Sequence, residues 1–305
     1  MKILILGNSS IFQRKIYFAL KKFDNLRIEV ASRSNFRKKK FITKRYSTYN
    51  EALKKTDAKI VYVSLINSEH YKWASKALNM NKHVIIDKPL SINHNQTKKL
   101  IKIAIKKKLL LSEAIVFQYD LRFQKIIKLI NLKKFTKIFC KFHIPKLEKN
   151  NFRNLKRYGG GCFQDMSPYA YYLINFFFLR KKYTLVKDSK NHYKKLKKNF
   201  KLFLKSKNIT LKASFSFDKN YKNEIEIHNN SKIYFIDYFF SPPINKKLKL
   251  KIYDSLKLKS KTINFDRQNV FYSYLYLIFK LIKKKKYNFF YKEIENLDKI
   301  KKKIS

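Results

Sequence analysis

The sequence predicts an α/β chain in two parts: an N-terminal doubly wound parallel sheet and a C-terminal α+β part with an open, mostly antiparallel sheet. Three observations carry this. Short apolar strands alternate with helix-length segments as far as residue 114. Beyond residue 207, strand-like segments follow one another with no helix between them until about residue 269. The 305 residues, 45% of them hydrophobic, suit two ordinary cores better than one. The division is expected at 1–118 and 119–305.

"KILIL" (2–6) is a short apolar strand closed by Gly7, and a helical pattern runs from Ile11 to Phe23. "RIEVA" (27–31) is a second strand. "AKIVYVSL" (58–65) is almost continuously apolar, as a strand buried on both faces requires. A helix over 68–79, the strand "HVIID" (83–87), a helix over 91–107 and the strand "LLLSEA" (109–114) complete the first part. Strands spaced by such helices form a parallel sheet with right-handed crossovers. In the second part, "TKIFCKFHI" (136–144) precedes a helix over 162–179. "NITLKASFSF" (208–217), "NEIEIHN" (223–229), "KIYFIDYFF" (232–240) and segments near 247–253 and 258–265 read as further strands. The lysine-rich 183–207 reads as an exposed loop or hairpin. In "HNNSK" (228–232) asparagines, which tolerate positive φ, serve as the turn. Helices over 269–286 and 291–304 are expected to pack back on the first part.

Composition narrows the function. The formal net charge is +52, yet the lysine runs at 37–40, 106–108, 194–198, 283–286 and 301–303 are spread along the chain. A protein tracking a nucleic-acid strand concentrates charge on one face, with aromatic platforms between. Lys, Asn, Ile, Phe and Tyr are in excess while only four glycines occur, against roughly 21 at average usage. That joint bias points to an AT-rich genome rather than to specific nucleic-acid binding, with weak nonspecific adhesion expected either way. Cys140 and Cys162 lack a C-x-x-C partner and read as reduced core residues, and the six histidines show no metal-binding spacing. With no run of about 18 apolar residues and no secretory leader pattern, a cytoplasmic protein without a membrane partner is expected.

Ligands of such sheets bind beyond the carboxyl ends of the strands. Those ends carry Gly7, Ser32, Arg33, Leu65, Asn67, Asp87, Lys88 and Glu113. "GNSSIF" (7–12) stands where a dinucleotide fold places G-x-G-x-x-G, but only the first glycine is present. Ser9 is small enough for a pyrophosphate to approach a helix N-terminus, whereas Phe12 fills the position that normally allows close helix–strand packing. Gly7, Ser9, Ser10, Ile11 and Phe12 are therefore cofactor candidates; a purely structural turn is the alternative. The acid that usually follows the second strand to hold ribose hydroxyls is missing from "ASRSNFRKKK". Arg33 can instead stack on adenine and pair with a 2′-phosphate, with Ser32 as hydrogen-bond donor, which favours NADP with NAD possible. One more basic loop in a basic protein is the other reading.

"SLINSEHYKWASKALNMNKHVIIDKPLS" (64–91) resembles the Gfo/Idh/MocA family (glucose–fructose oxidoreductase, inositol dehydrogenase and rhizopine catabolism). The family's T-P-N, following histidine and G-K-H-V-x-x-E-K-P are matched by Asn67, His70, Lys82–His83–Val84, Lys88 and Pro89. Leu65, Ile66, Asn81 and Asp87 are substitutions. Glu113 falls where the family has a glutamate beside the nicotinamide, while "VFQYDL" (116–121) departs from its M-x-R-x-x-P. "GGGCFQDMSPY" (159–169) matches the family's G-G-G-x-x-x-D-x-G-x-[HY] at Asp165 and Tyr169. Three glycines let a backbone pass close to substrate and cofactor, and the i, i+4 spacing presents Asp165 and Tyr169 on one helix face. Pro168 fits if Asp165 caps that helix and Pro168 lies in its first turn; otherwise it kinks the helix.

The resemblance implies a Rossmann-type cofactor domain with Leu65, Asn67, His70, Asp87, Lys88 and Glu113 on the cofactor, and Lys88, Asp165 and Tyr169 on substrate and in catalysis. It is specific over 58–170 and diffuse elsewhere. Oxidising a secondary alcohol needs a base for the hydroxyl proton. A free tyrosine, with a pKa of about 10, is poor at neutral pH, and a nearby ammonium favours its phenolate. The expected function is thus an NADP-dependent oxidoreductase of a sugar-like secondary alcohol or ketone, Lys88 and Tyr169 handling the proton, in a homodimer or larger homo-oligomer. The alternatives are a non-catalytic relative and a basic nucleic-acid-binding protein.

Overall fold

The structure, a computed structural model, describes residues 1–34, 39–178, 181–188 and 196–304. Arg37 and Lys38 of the first lysine run, His192, the last residue of the helix expected over 162–179 and the middle of 183–207 lie outside the described residues. The chain divides into two compact units. One comprises Met1–Ala114, Arg157–Gly159 and Phe271–Asp298, and the other Ile115–Lys156, Gly160–Val270 and Lys299–Ser305.

The first unit holds a six-stranded, wholly parallel sheet. Its strands are β1 (Lys2–Leu6), β2 (Arg27–Ala31), β3 (Ile42–Tyr46), β4 (Ile60–Val63), β5 (His83–Ile86) and β6 (Leu111–Glu113), in the order β3-β2-β1-β4-β5-β6. The order reverses between β1 and β4, the point at which doubly wound sheets open a crevice at their carboxyl edge. Ile3, Leu4, Ile5 and Leu6 of β1 have no exposed surface, as a strand covered on both faces requires. A wide helical turn, Phe12–Ile16, runs into α1 (Tyr17–Leu20), followed by α2 (Tyr49–Lys55), α3 (His70–Asn79) and α4 (His94–Lys106). Thr48 and Asn93 cap α2 and α4 by accepting the backbone N–H groups of Glu51 and Gln96. The sequence reading placed no elements at β3 and α2. In β3 only Ile42 and Tyr46 are buried, with Thr43, Lys44 and Arg45 exposed, so an edge strand is hidden in a basic stretch.

The second unit contains α5 (Leu121–Leu129), also unforeseen, then β7 (Thr136–His143) and α6 (Cys162–Phe178). There follow β8 (Thr184–Asp188), β9 (Asn199–Lys205), β10 (Ile209–Ser216), β11 (Lys222–Asn229), β12 (Lys232–Asp237), β13 (Leu248–Asp254) and β14 (Lys259–Phe265). With β7 they form an eight-stranded sheet, β14-β13-β12-β11-β7-β10-β9-β8, in which only β7 and β10 pair in parallel. The lysine-rich stretch contributes the hairpin strands β8 and β9, and Phe200, Leu202 and Leu204 of β9 alternate inward. Helix α6 lies against β9 and β10, with Phe163 at 5.0 Å from Phe200 and Phe200 stacked at 4.7 Å on Phe215. Asn230 turns the β11–β12 hairpin at φ 57°.

Two final helices, α7 (Val270–Lys283) and α8 (Asn288–Ile304), contribute Phe271–Asp298 to the first unit. Tyr274 and Ser112 share a hydroxyl hydrogen bond of 2.8 Å. Tyr287 donates to the Lys108 carbonyl at 2.7 Å, and Tyr291 to that of Leu109. Helices α3, α4 and α7 end alike: Asn81, Lys108 and Lys285 take φ of 57°, 52° and 54°. The N–H groups there reach back three and five residues, as in Lys108 to Ile105 and Leu109 to Ala104. Cys140 and Cys162 are buried and unbridged.

Candidate active site

Because β1 to β6 are parallel, their carboxyl ends lie along one edge. Gly7 follows β1 with φ 105°, and a Cβ there would stand 2.2 Å from the Ser64 carbonyl oxygen, so the first glycine of "GNSSIF" is obligatory. Ser9, at the position of the second glycine, turns its hydroxyl toward the sheet. The N–H of Phe12 donates to Ser9 Oγ at 3.1 Å. Ser9 Oγ and Ser64 Oγ lie 2.6 Å apart, and Ser64 Oγ donates to Asp87 Oδ2 at 2.5 Å. With the Ser64 proton on the carboxylate, Ser9 must donate to Ser64, which fixes the direction of the chain. Tyr62 supplies a second donor to Asp87 at 2.8 Å. Withdrawal from water raises the Asp87 pKa, against the pull of these hydroxyls and of the Lys88 charge. Phe12 is fully buried, Ile11 half-buried and Ser10 exposed.

His70, expected on the cofactor, has no exposed surface. Its ring lies between the carbonyl oxygens of Pro89, 2.7 Å from Nδ1, and Leu65, 2.9 Å from Nε2. Burial pushes its pKa down toward the neutral ring, which donates to one carbonyl at a time. Both nitrogens thus face backbone carbonyls, one of them accepting the ring N–H, and His70 packs between the β4 end and the turn bearing Lys88. Asn67 is likewise buried and donates to the Gly159 carbonyl at 2.9 Å. Lys88 and Leu65 are half-buried at the strand ends, and the Lys88–Pro89 peptide is cis. Glu113 Oε1 accepts the Leu90 N–H at 2.9 Å. Glu293 of α8 is raised to about 7, by burial first and by the charge of Glu113 second.

At the end of β2, Ser32 is buried, its hydroxyl 3.1 Å from that of Ser34. Arg33 is 67% exposed, with its guanidinium 5.1 Å from the Tyr49 ring centre. Sequence reasoning found no acid here, but the fold supplies one: Glu69 Oε2 lies 3.8 Å from Arg33 and accepts from Trp73 Nε1 at 2.8 Å. Trp73 meets Tyr49 edge to face at 5.0 Å. No spacing rule links positions 33 and 69; only the sheet order does, with β2 and β4 on either side of β1.

The second unit carries Asp165 and Tyr169. The helix begins at Cys162, so Asp165 is not its cap and Pro168 lies in the helix interior. Asp165 is buried and receives Arg153 Nε at 3.2 Å, an ion pair the sequence did not signal. The Tyr169 ring packs among Phe117, Phe142 and Phe240, with centres 5.1 to 6.0 Å away. Where "VFQYDL" departs from the family pattern, Tyr172 donates to Gln118, and the buried Arg122 grips Asp120 at 2.7 Å. Gly160 is held in place by sterics: a Cβ there would stand 2.5 Å from the Arg153 carbonyl oxygen.

Comparison with known proteins gives these residues a setting. Residues 1–115 match the model of the Gfo/Idh/MocA oxidoreductase family, described as an oxidoreductase family with an NAD-binding Rossmann fold. A dTDP-3,4-didehydro-2,6-dideoxy-alpha-D-glucose 3-reductase of Saccharopolyspora spinosa is 33% identical over 127 residues, covering 40% of this chain and 37% of that protein. Its counterpart from Actinomadura kijaniata is 24% identical over 225 residues, covering 70% and 67%. A solved 3-ketoreductase from Actinomadura kijaniata, in complex with NADP and TDP-benzene, superposes with a TM-score of 0.86 at 19% identity, covering 98% of this chain and 94% of that one. An aldose–aldose oxidoreductase from Caulobacter crescentus superposes with a TM-score of 0.79 at 14% identity, covering 100% and 96%. The α/β fold with its parallel and mostly antiparallel sheets is thus shared along the chain, and over residues 1–115 the chain is similar to the Gfo/Idh/MocA oxidoreductase family.

Proposed function

We propose that this protein is an NADP-dependent oxidoreductase that moves a hydride between the nicotinamide and a secondary alcohol or ketone of a sugar derivative. A sugar linked to a nucleoside diphosphate is the substrate class favoured by the dTDP-sugar 3-reductases among its relatives. The observation that carries the reading is the retention, on a family-matched Rossmann sheet, of Lys88 at the β5 end, with Asp165 and Tyr169 one turn apart on α6.

The residues present fit a dinucleotide. Gly7 leaves the backbone bare at the β1 end, and the exposed Ser10 and half-buried Ile11 head the following helical turn, where a pyrophosphate is received. The exposed Arg33 guanidinium has one face on Tyr49 and suits an adenine and a 2′-phosphate. Nicotinamide, when bound, supplies the hydride acceptor or donor at C4. The protein supplies the proton chemistry: Lys88 Nζ and Tyr169 Oη polarise the substrate oxygen and deliver or take its proton, and Asp165 orients the substrate. His70, Asn67 and the Ser9–Ser64–Asp87 chain hold the strand ends around Lys88.

We also propose a cytoplasmic homodimer or larger homo-oligomer formed through the open face of the eight-stranded sheet; among the described residues no helix is long and apolar enough to cross a membrane. The test is calorimetric titration with NADPH and then NADH at high salt, followed by turnover of nucleotide-linked keto sugars. Saturable binding favouring NADPH is expected, with Lys88→Ala and Tyr169→Phe abolishing turnover while sparing cofactor affinity. Binding of neither cofactor favours the non-catalytic relative.

A further inference from the structure

The end of β2 offers Arg33 to a 2′-phosphate, yet the fold sets a carboxylate against it. Glu69 opens the approach to α3, and its position is fixed rather than incidental: Trp73 Nε1 donates to Oε2 at 2.8 Å, and Trp73 is 3% exposed. From there Glu69 stands 3.8 Å from the Arg33 guanidinium, which rests over Tyr49. Lys72 and Lys76 lie over the Trp73 ring at 5.3 and 5.7 Å, and Lys76 is engaged by Asn50 at 2.6 Å.

We propose that Glu69 is a specificity-determining residue of the cofactor site, whose carboxylate beside Arg33 lowers the preference for a 2′-phosphate over a 2′-hydroxyl. This rests on the dinucleotide reading above. A phosphate arriving at Arg33 meets a neighbouring like charge and must displace a partner the guanidinium already has. A ribose 2′-hydroxyl meets no such penalty, and the carboxylate can accept its proton donor. In most NAD sites that acceptor is an acid at the end of the second strand; here it comes from the segment after β4. The site is therefore one in which NADP is favoured by Arg33 and discounted by Glu69, so that NAD remains a competent ligand.

Glu69→Gln tests this, because the amide oxygen keeps the acceptor for Trp73 while the charge is removed. Calorimetric dissociation constants are measured for NADPH and NADH on the wild-type protein and the variant. NADPH should bind roughly five- to tenfold more tightly to the variant, NADH no more tightly, and the gain should shrink as salt rises. A merely structural role for Glu69 would move both cofactors together, so an NADPH/NADH ratio unchanged within about twofold overturns the inference. Failure of the wild-type protein to bind either cofactor overturns the dinucleotide reading itself, and the inference with it. Should the variant unfold, Glu69→Ala read by the same ratio decides in its place.

Discussion

At the scale of single residues, the site is a set of strand ends whose side chains mostly hold one another. Ser64 illustrates this: buried and unremarked in the sequence, it relays a hydrogen bond from Ser9 to Asp87 and so joins the loop after β1 to the turn bearing Lys88. Arg33→Ala should weaken NADPH binding more than NADH binding in calorimetry, and equal losses would remove the 2′-phosphate assignment. Gly7→Ala should cost about 3 kcal/mol or more, read as a lowered unfolding midpoint, since its φ and the Ser64 carbonyl both oppose a side chain. Lys88, Asp165 and Tyr169 could be put forward from the sequence because each sits in a short motif of fixed spacing. Glu69, Ser64 and Arg153 were not, because what they touch is brought to them by strand order or by a loop's return. His70 stood out as a motif member, but its position between two backbone carbonyls is visible only once both loops are placed.

At the scale of elements, apolar periodicity served well wherever a segment is covered on both faces. It failed at β3 and α2, whose outward positions are filled with charged and polar residues, and at α5, where Leu121 and Leu129 face outward while Arg122 is buried. Helix α8 carries a consequence of its own. Glu293 is raised from the ordinary 4.5 to about 7 by burial and by Glu113, so the native protein binds a proton there that the unfolded chain releases. Stability from this group is complete below about 4.5 and is lost as pH rises through about 7. Glu293→Gln, which keeps the neutral shape, should raise the thermal midpoint at pH 8 and leave it nearly unchanged below the ordinary carboxyl range. An equal effect at both pH values would exclude the titration as the cause.

At the scale of the whole molecule, the charge of +52 acts on everything the protein meets. Self-repulsion among so many lysines should make added salt raise the thermal midpoint, and polyanions such as DNA should bind weakly, without sequence preference, and elute as salt increases. Tight binding that resists salt would instead favour the nucleic-acid alternative. The two-part architecture was legible because it follows from the order of elements alone. The grouping of Phe271–Asp298 with the first unit agrees with the expectation for the final helices, whereas that of Arg157–Gly159 was not legible, since it depends on where a distant loop returns.

The left-handed helix ends at Asn81, Lys108 and Lys285 have a further meaning. Glycine is the customary occupant of such positions, and a lysine there carries about 1–2 kcal/mol of backbone strain. This glycine-poor chain does without glycine at these helix ends but has it at Gly7 and Gly160, where a Cβ would collide with a carbonyl oxygen. The protein thus keeps an unclaimed reserve of stability at sites remote from its chemistry. Restoring glycine at Lys108 or Lys285 should return about 0.5–1 kcal/mol each, additively, with the cofactor constants unmoved.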